Sequence, residues 1–113
     1  MSGPGPRPPA FVVPSEKLTH YLLVPTHPEG GSKARFFLGY GFSADQPEDL
    51  AAALLTHAAG AEHVGTVPGR GGIKFVFEGP LDAPNGKTPR VRSVWQIDEG
   101  ADPPARFITA VPL

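Results

Sequence analysis

The chain has 113 residues and a formal net charge of −1, a length that suits one hydrophobic core and is too short for two. The near-zero charge argues against a strongly basic nucleic-acid-binding protein, although a local basic patch is compatible with it. The sequence has no cysteine, which excludes disulfides and thiolate chemistry. Its apolar runs are shorter than the roughly 20 residues that span a bilayer, so we expect no membrane partner and a cytoplasmic protein, or one delivered into the cytoplasm of a target cell.

The N-terminus is rich in proline and glycine. We expect residues 1–10 to form a disordered tail and residues 11–113 to form a single domain. The first apolar run, Phe11-Val12-Val13, fits an edge strand or a packed arm. An edge strand could also pair with a second copy of the chain, so a homodimer is one possibility.

Helical signals follow over residues 15–60. Ser15 is a suitable N-cap for a first helix that Pro25 ends, and Ser32 is a suitable N-cap for a short second helix. Asp45 or Ser43 can cap a third helix that ends at glycine. The predicted apolar stripe of that third helix consists of Leu50, Leu54, Leu55 and Ala58.

The periodicity changes from helical to two after the third helix. Short connections with glycine, among them Asn85-Gly86, imply that consecutive strands are antiparallel neighbours. We therefore predict an α+β fold in which two to three N-terminal helices pack on one face of a four-stranded antiparallel β-meander. The four predicted strands are residues 62–68, 73–79, 89–98 and 105–111.

The third predicted strand is the most informative segment, because its two faces differ. Val91, Ser93, Trp95 and Ile97 share one side, which suits a core, and Trp95 is expected there. The opposite side carries Arg90, Arg92, Val94 and Gln96. On the preceding strand Lys74 and Glu78 share a side as well, so paired strands would present a charged surface. Such a surface is either simply solvated or able to grip phosphate.

Five segments are informative in combination: Lys17-Leu18-Thr19-His20-Tyr21-Leu22-Leu23, the stretch from His27 to Phe37, the block from Gly79 to Gly86, Arg90-Val91-Arg92-Ser93-Val94-Trp95 and the ending Pro104-Ala105-Arg106-Phe107-Ile108-Thr109-Ala110. Together they resemble a family of small bacterial domains similar to toxins of the barnase–EndoU–colicin–RelE fold. The resemblance covers nearly the whole chain after residue 10 and is an argument by analogy of fold. It implies a metal-independent ribonuclease that acts as a toxin, with a cognate antitoxin or immunity protein as its partner.

The resemblance assigns functional positions to His27, Lys33, Arg92 and Thr109. Metal-free RNA cleavage needs a base for the 2′-hydroxyl, an acid for the leaving oxygen and cations for the phosphorane. The residues add Glu78 as a candidate base, and we expect no cofactor and no metal in the site. The predicted substrate-binding side chains are Lys74, Arg90, Gln96 and Arg35.

The side of the strand on which Thr109 lies has two interpretations. Thr109 shares its strand parity with the apolar Phe107 and Val111, so it faces the charged surface only if a β-bulge intervenes; otherwise it is a buried, hydrogen-bonded hydroxyl.

His57 and His63 flank the end of the third helix, where Glu62 supplies too few additional ligands for a metal site.

A different class of function is compatible with the same sequence. The acidic segments Asp45–Asp49 and Asp98-Glu99 and the near-zero net charge suit a non-catalytic protein-binding module, such as an antitoxin, an immunity protein or an adaptor, better than they suit RNA binding.

Overall fold

The computed structural model describes residues 5–18 and 31–113. This part of the chain has an α+β fold, as predicted, with five strands in the spatial order β1-β5-β4-β3-β2. None of its helices is long and apolar enough to cross a membrane. In chain order the elements are β1 (Phe11–Val12), α1 (Ser15–Lys17), α2 (Gly31–Gly39), α3 (Pro47–Gly60), β2 (Glu62–Gly69), β3 (Gly72–Pro80), β4 (Arg90–Asp98) and β5 (Ala105–Pro112).

The sheet has five strands, one of them parallel to its neighbour. The prediction of a four-stranded, purely antiparallel sheet is therefore wrong in strand number and in the direction of the added strand. β2 to β5 are antiparallel neighbours in chain order, and their bounds lie close to the predicted ones. β1 adds a fifth strand parallel to β5, with Phe11 beside Ala105 and Val12 beside Arg106. Two residues are too few to show an alternating pattern. Of the two interpretations of this apolar run, the structure shows the edge strand.

The segment before β1 contacts the domain. Arg7 donates through Nη1 to the carbonyl oxygen of Ala58 at 2.7 Å and through Nη2 to that of Ala61. Its guanidinium also lies 5.1 Å from the ring centre of Phe77. A cation that meets the last carbonyl groups of a helix stabilises its C-terminus. The described part of the expected disordered tail therefore includes a residue that caps α3.

α3 packs its apolar stripe into the core, with one error in the prediction. Leu50, Leu54 and Ala58 are buried as predicted, whereas Leu55 is 37% exposed. Leu55 follows Leu54 directly, so it is rotated about 100° away from the stripe. The buried position one turn after Leu54 is taken instead by His57, which is 2% exposed.

The predicted helix caps are not the ones observed. α3 is preceded by Gln46, which makes no side-chain capping hydrogen bond. Ser43 accepts a hydrogen bond from the backbone of Asp45 at 3.1 Å, in the turn before the helix. α2 begins at Gly31, one residue before Ser32. The first predicted helix is described only over Ser15–Lys17, and its expected end at Pro25 lies outside the described residues.

The side of the sheet that packs against α3 is called the covered face here. Trp95 lies on it with no exposed surface, as predicted. Its ring makes edge-on contacts with Phe11 and Phe107 at centroid distances of 5.0 and 5.3 Å. Phe11 also meets Phe77 edge-on at 5.6 Å. The two-residue strand β1 is thus anchored by an aromatic cluster, which gives a very short strand a defined place.

Candidate functional site: the charged face of the sheet

The side opposite the covered face carries most of the predicted site residues, and we call it the charged face. Strand register decides its layout, because each cross-strand pair places its two side chains on the same face. Three rows run across β3, β4 and β5, and they are separated along β4 by two residues each. The rows are Glu78–Arg92–Val111, Val76–Val94–Thr109 and Lys74–Gln96–Arg106.

Glu78 and Arg92 form an ion pair in the first row. The Nη2 and Nε atoms of Arg92 lie 2.7 and 2.8 Å from one carboxylate oxygen of Glu78. The side chain of Arg92 is 46% exposed. This confirms that Arg92 lies within reach of Glu78 and on the face opposite Trp95. On its other side Glu78 pairs with Glu62 of β2, so it stands between a carboxylate and a guanidinium.

A β-bulge decides the position of Thr109. Val94 pairs with Thr109, but the next residue, Trp95, pairs with Phe107, so Ile108 is the extra residue of β5. Thr109 is therefore on the side of Val94, and the bulge is the alternative that the structure shows. An unbroken alternation would have placed Thr109 with Phe107 on the covered face.

Lys33 reaches Thr109 from α2. Its Nζ donates to the Thr109 Oγ1 at 2.9 Å, a contact between residues 76 positions apart in sequence. In the sheet, Thr109 is also a diagonal neighbour of Arg92, at a typical distance of about 7–8 Å between such positions. Four of the five predicted catalytic side chains thus come from α2, β3, β4 and β5 to one region of the charged face.

Among the other predicted residues, Arg90 lies two residues from Arg92 on β4 and therefore on the charged face, next to this group. His27 lies outside the described residues. Arg90 is exposed at the start of β4, opposite Pro80. Arg35 is exposed on α2, and because it follows Lys33 by two residues it does not share its side of the helix.

The third row holds a network that sequence reasoning only partly found. Arg106 donates through Nε and Nη2 to the two carboxylate oxygens of Asp98, at 3.0 and 2.9 Å. Gln96 is 8% exposed, and its amide nitrogen donates to Asp98 at 2.7 Å and to the carbonyl of Gly71 at 3.2 Å. Gln96 is a predicted substrate-binding residue, but its amide nitrogen is used to hold Asp98 and the β2–β3 turn in place. Lys74 is exposed at the other end of the row.

Hydrogen bonding in this network shifts the ionisation of both partners. The hydrogen bond from Arg106, followed by that from Gln96, holds the pKa of Asp98 below its usual range. The hydrogen bond to Asp98 raises the pKa of Arg106 further. Both groups are charged at neutral pH, and the guanidinium is held in one orientation. Strand parity could have found Asp98, which follows Gln96 on the same side of β4, but the bulge hides Arg106.

A second polar network lies on the covered face and was missed. His57 Nε2 lies 3.1 Å from the carbonyl oxygens of Gly79 and Val91, so this nitrogen must be the donor. His57 Nδ1 then accepts from Ser93 Oγ at 3.0 Å, and Ser93 in turn accepts from Trp95 Nε1 at 2.9 Å. Every polar group in this chain of bonds is satisfied by a neutral histidine.

This network gives His57 a structural explanation. Burial lowers the pKa of His57; the hydrogen bonds to Gly79 and Val91 oppose that shift, and the charge of Arg90 adds to it. Among the described residues, no group of three or more His, Asp and Glu side chains is placed to hold a metal ion.

The sequence and the fold can be compared with those of known proteins. A family model described as a domain of unknown function, DUF6883, matches residues 9–113. A chain of a contact-dependent growth inhibition toxin–immunity protein complex from Klebsiella pneumoniae 342 has a similar fold, with a TM-score of 0.66 and 19% sequence identity over 89% of this chain and 92% of that chain. That complex contains both a toxin and an immunity protein, and the likeness is one of fold. No curated protein matches the sequence. The chain belongs to the DUF6883 family.

Proposed function

We propose that this domain is a ribonuclease toxin that cleaves RNA by general acid–base catalysis on its charged face. The observation that carries the proposal is the convergence of Lys33, Glu78, Arg92 and Thr109, from four different elements, on one region of that face. A solvated strand surface does not require a long-range contact between a helix lysine and a threonine turned outward by a bulge. The fold of the toxin–immunity complex chain adds support from a different source.

The proposed chemistry assigns each group a step that its functional group can perform. The Glu78 carboxylate takes the proton of the 2′-hydroxyl, whose oxygen attacks the adjacent phosphorus and forms a 2′,3′-cyclic phosphate. Arg92 and Lys33 stabilise the negative charge of the phosphorane, and Thr109 holds the Lys33 ammonium in place. The bond to the 5′-oxygen breaks, and this oxygen needs a proton, for which we propose His27, because a histidine can act as an acid near neutral pH.

Arg92 can serve both Glu78 and a phosphate. A guanidinium carries five N–H donors, and the contacts with Glu78 use the Nε and Nη2 atoms. Within the described part of the chain, the Nη1 atom of Arg92 makes no hydrogen bond. A phosphate oxygen could therefore bind Nη1 while Glu78 keeps its contacts with Nε and Nη2.

Acting as a toxin also requires a partner. We propose that a cognate immunity protein or antitoxin neutralises the domain, as the complex that contains its structural neighbour suggests. The site of action would be the cytoplasm, where RNA substrates are. β1 pairs with β5 of the same chain, so the edge of β5 is already occupied, and the possible homodimer is not part of this proposal.

One observation favours a second candidate, a non-catalytic module that binds a partner protein. Arg92 and Arg106 are each paired with a carboxylate, which reduces the positive potential of the charged face. The whole chain has a net charge of −1. An immunity protein or adaptor would use such paired charges for specific recognition rather than for phosphate binding.

The test is cleavage of purified tRNA and of single-stranded RNA by the wild-type protein in EDTA, followed on denaturing gels. Arg92→Ala and Glu78→Gln should lower the rate at least about 100-fold, which is typical of removing an electrostatic donor or a general base. Arg70→Ala removes an exposed arginine from the β2–β3 turn and should leave the rate unchanged.

Expression in a bacterial host supplies the biological readout. The wild-type protein should arrest growth and the Arg92→Ala variant should not, although both fold. A wild-type protein that leaves every RNA intact and the host unharmed would contradict the ribonuclease proposal and favour the binding module.

A further inference from the structure

The Lys74–Gln96–Arg106 row lies beyond the proposed catalytic group, and it has features of a second phosphate-binding position. We propose that this row binds a nucleotide flanking the cleaved bond, so that RNA runs along β4 and the domain prefers extended substrates. This inference rests on the proposed function and goes beyond it, because it names the path of the substrate and two specificity-determining residues, Lys74 and Arg106.

The first argument is the charge that this row presents. Lys74 is exposed on β3, and its side chain makes no hydrogen bond or ion pair with another described residue. Arg106 uses Nε and Nη2 for Asp98, and its Nη1 makes no hydrogen bond within the described part of the chain. Both cations share one row of the sheet and one face with Arg92. Two cations at one row can contact the same phosphate group.

The second argument is that the arginine is held in place. The bidentate contact with Asp98 fixes the plane of the Arg106 guanidinium, and Gln96 fixes Asp98 by a hydrogen bond of 2.7 Å. Gln96 is itself tied to the β2–β3 turn through Gly71. A binding group that is ordered before the ligand arrives loses less conformational entropy on binding. Asp98 and Gln96 are therefore positioning residues for Arg106.

The third argument is distance. Arg92 and Gln96 are four residues apart on β4, which at about 3.3 Å per residue places their rows about 13 Å from each other. That separation is several times the rise of about 3.4 Å per nucleotide in a stacked strand. One nucleotide cannot contact both rows, and an extended strand of a few nucleotides can.

On β3 and β4 the surface between the two rows is apolar. Val76 and Val94 pair across β3 and β4 in the middle row, and both are half-buried. An apolar patch between two rows that each carry a cation suits a nucleobase, whose faces are apolar, while the phosphates on either side meet Arg92 and the Lys74–Arg106 pair of cations. This arrangement needs no hydrogen bonds to base edges, so it predicts a preference for length rather than for sequence.

Substrate length is the variable that tests the inference. We compare a dinucleoside monophosphate, which spans only the cleaved bond, with single-stranded RNA of about a dozen nucleotides. The wild-type protein should have a much higher kcat/KM for the longer RNA. Lys74→Ala and Arg106→Ala should each lower that kcat/KM about tenfold, mainly through KM, and leave cleavage of the dinucleotide unchanged. Arg92→Ala should abolish both activities, and Arg70→Ala should affect neither.

Binding gives an independent readout that does not require turnover. A fluorescent RNA with 2′-deoxy substitutions cannot be cleaved, and its affinity can be measured by anisotropy at several salt concentrations. Each lost phosphate contact should reduce the salt slope of log K by about 0.7 for a single strand. Lys74→Ala and Arg106→Ala should show that reduction, and Arg70→Ala should not.

The outcomes separate this inference from the proposed function. If the wild-type protein cleaves RNA but Lys74→Ala and Arg106→Ala behave like Arg70→Ala, the second phosphate position is wrong and the ribonuclease stands. If the wild-type protein neither binds nor cleaves RNA, both are wrong. The side chain of Lys74 is exposed and makes no hydrogen bond or ion pair with another described residue, so its variant should fold even if Arg106→Ala disturbs the Asp98 network.

Discussion

The two faces of the sheet satisfy their polar side chains in opposite ways. On the covered face, a chain of hydrogen bonds between neutral, buried side chains runs from Trp95 through Ser93 to His57. On the charged face, polar groups are ionised and partly exposed, and they form two separate pairs. A buried charge needs costly desolvation, whereas an exposed ion pair costs and contributes little. The comparison indicates that the covered face maintains the fold and that the charged face is free to change its partners.

The strongest effect on stability is expected from Ser93→Ala. The substitution leaves Trp95 Nε1 without an acceptor and His57 Nδ1 without a donor, both in the protein interior. Each unsatisfied buried group costs about 1–3 kcal/mol, so we expect the free energy of unfolding to fall by more than about 2 kcal/mol. Urea denaturation measures the change. Ser43→Ala, which alters a hydroxyl in a surface turn, should change stability by less than about 1 kcal/mol. Equal effects at the two positions would contradict the role assigned to the buried network.

The sequence could predict the two faces only where a side chain's position depends on residues nearby in the chain. The alternation along residues 90–97 was sufficient to place Arg92 opposite Trp95, because strand parity is a local property. Thr109 could not be placed, since its side depends on a bulge that forms only when β5 pairs with β4.

The contacts made through α2 and α3 were out of reach for the same reason. Lys33 meets Thr109 across 76 positions, and His57 meets Ser93 across 36. No periodicity within either segment encodes these pairs. A histidine at the buried position of an apolar helical stripe was the available signal for His57, and its partners followed only from the packing of α3 on the sheet.

A smaller effect is expected from pH, because His57 must be neutral in the folded state. Burial lowers the pKa of folded His57, whereas in the unfolded chain the imidazole has its ordinary value of 6.5. As the pH falls through that value, the unfolded state binds a proton before the folded state does, so stability decreases toward lower pH. Denaturation between about pH 8 and pH 5 measures this slope, in a range above that in which Asp98 titrates.

Two histidine variants make the pH experiment specific. His57→Gln keeps a donor near the carbonyls of Gly79 and Val91 but cannot titrate, so most of the slope should disappear. His63→Gln, at a partly buried histidine of β2, should keep it. A slope that survives in His57→Gln would show that the pH dependence has another source.

The smallest effect on stability is expected at the Glu78–Arg92 pair. This pair tests whether the charged face, unlike the covered face, serves function rather than stability. Both partners are partly exposed, and Glu78 also faces Glu62 across the sheet, which offsets part of the attraction. A double-mutant cycle with Glu78→Gln and Arg92→Gln should therefore give a coupling energy below about 1 kcal/mol in urea denaturation. The same two variants are expected to lose RNA cleavage. A large loss of activity at almost unchanged stability is the signature of a site, because residues that serve only the fold lose both together. A coupling energy well above that value would instead make the Glu78–Arg92 pair part of the structural framework rather than part of a catalytic site.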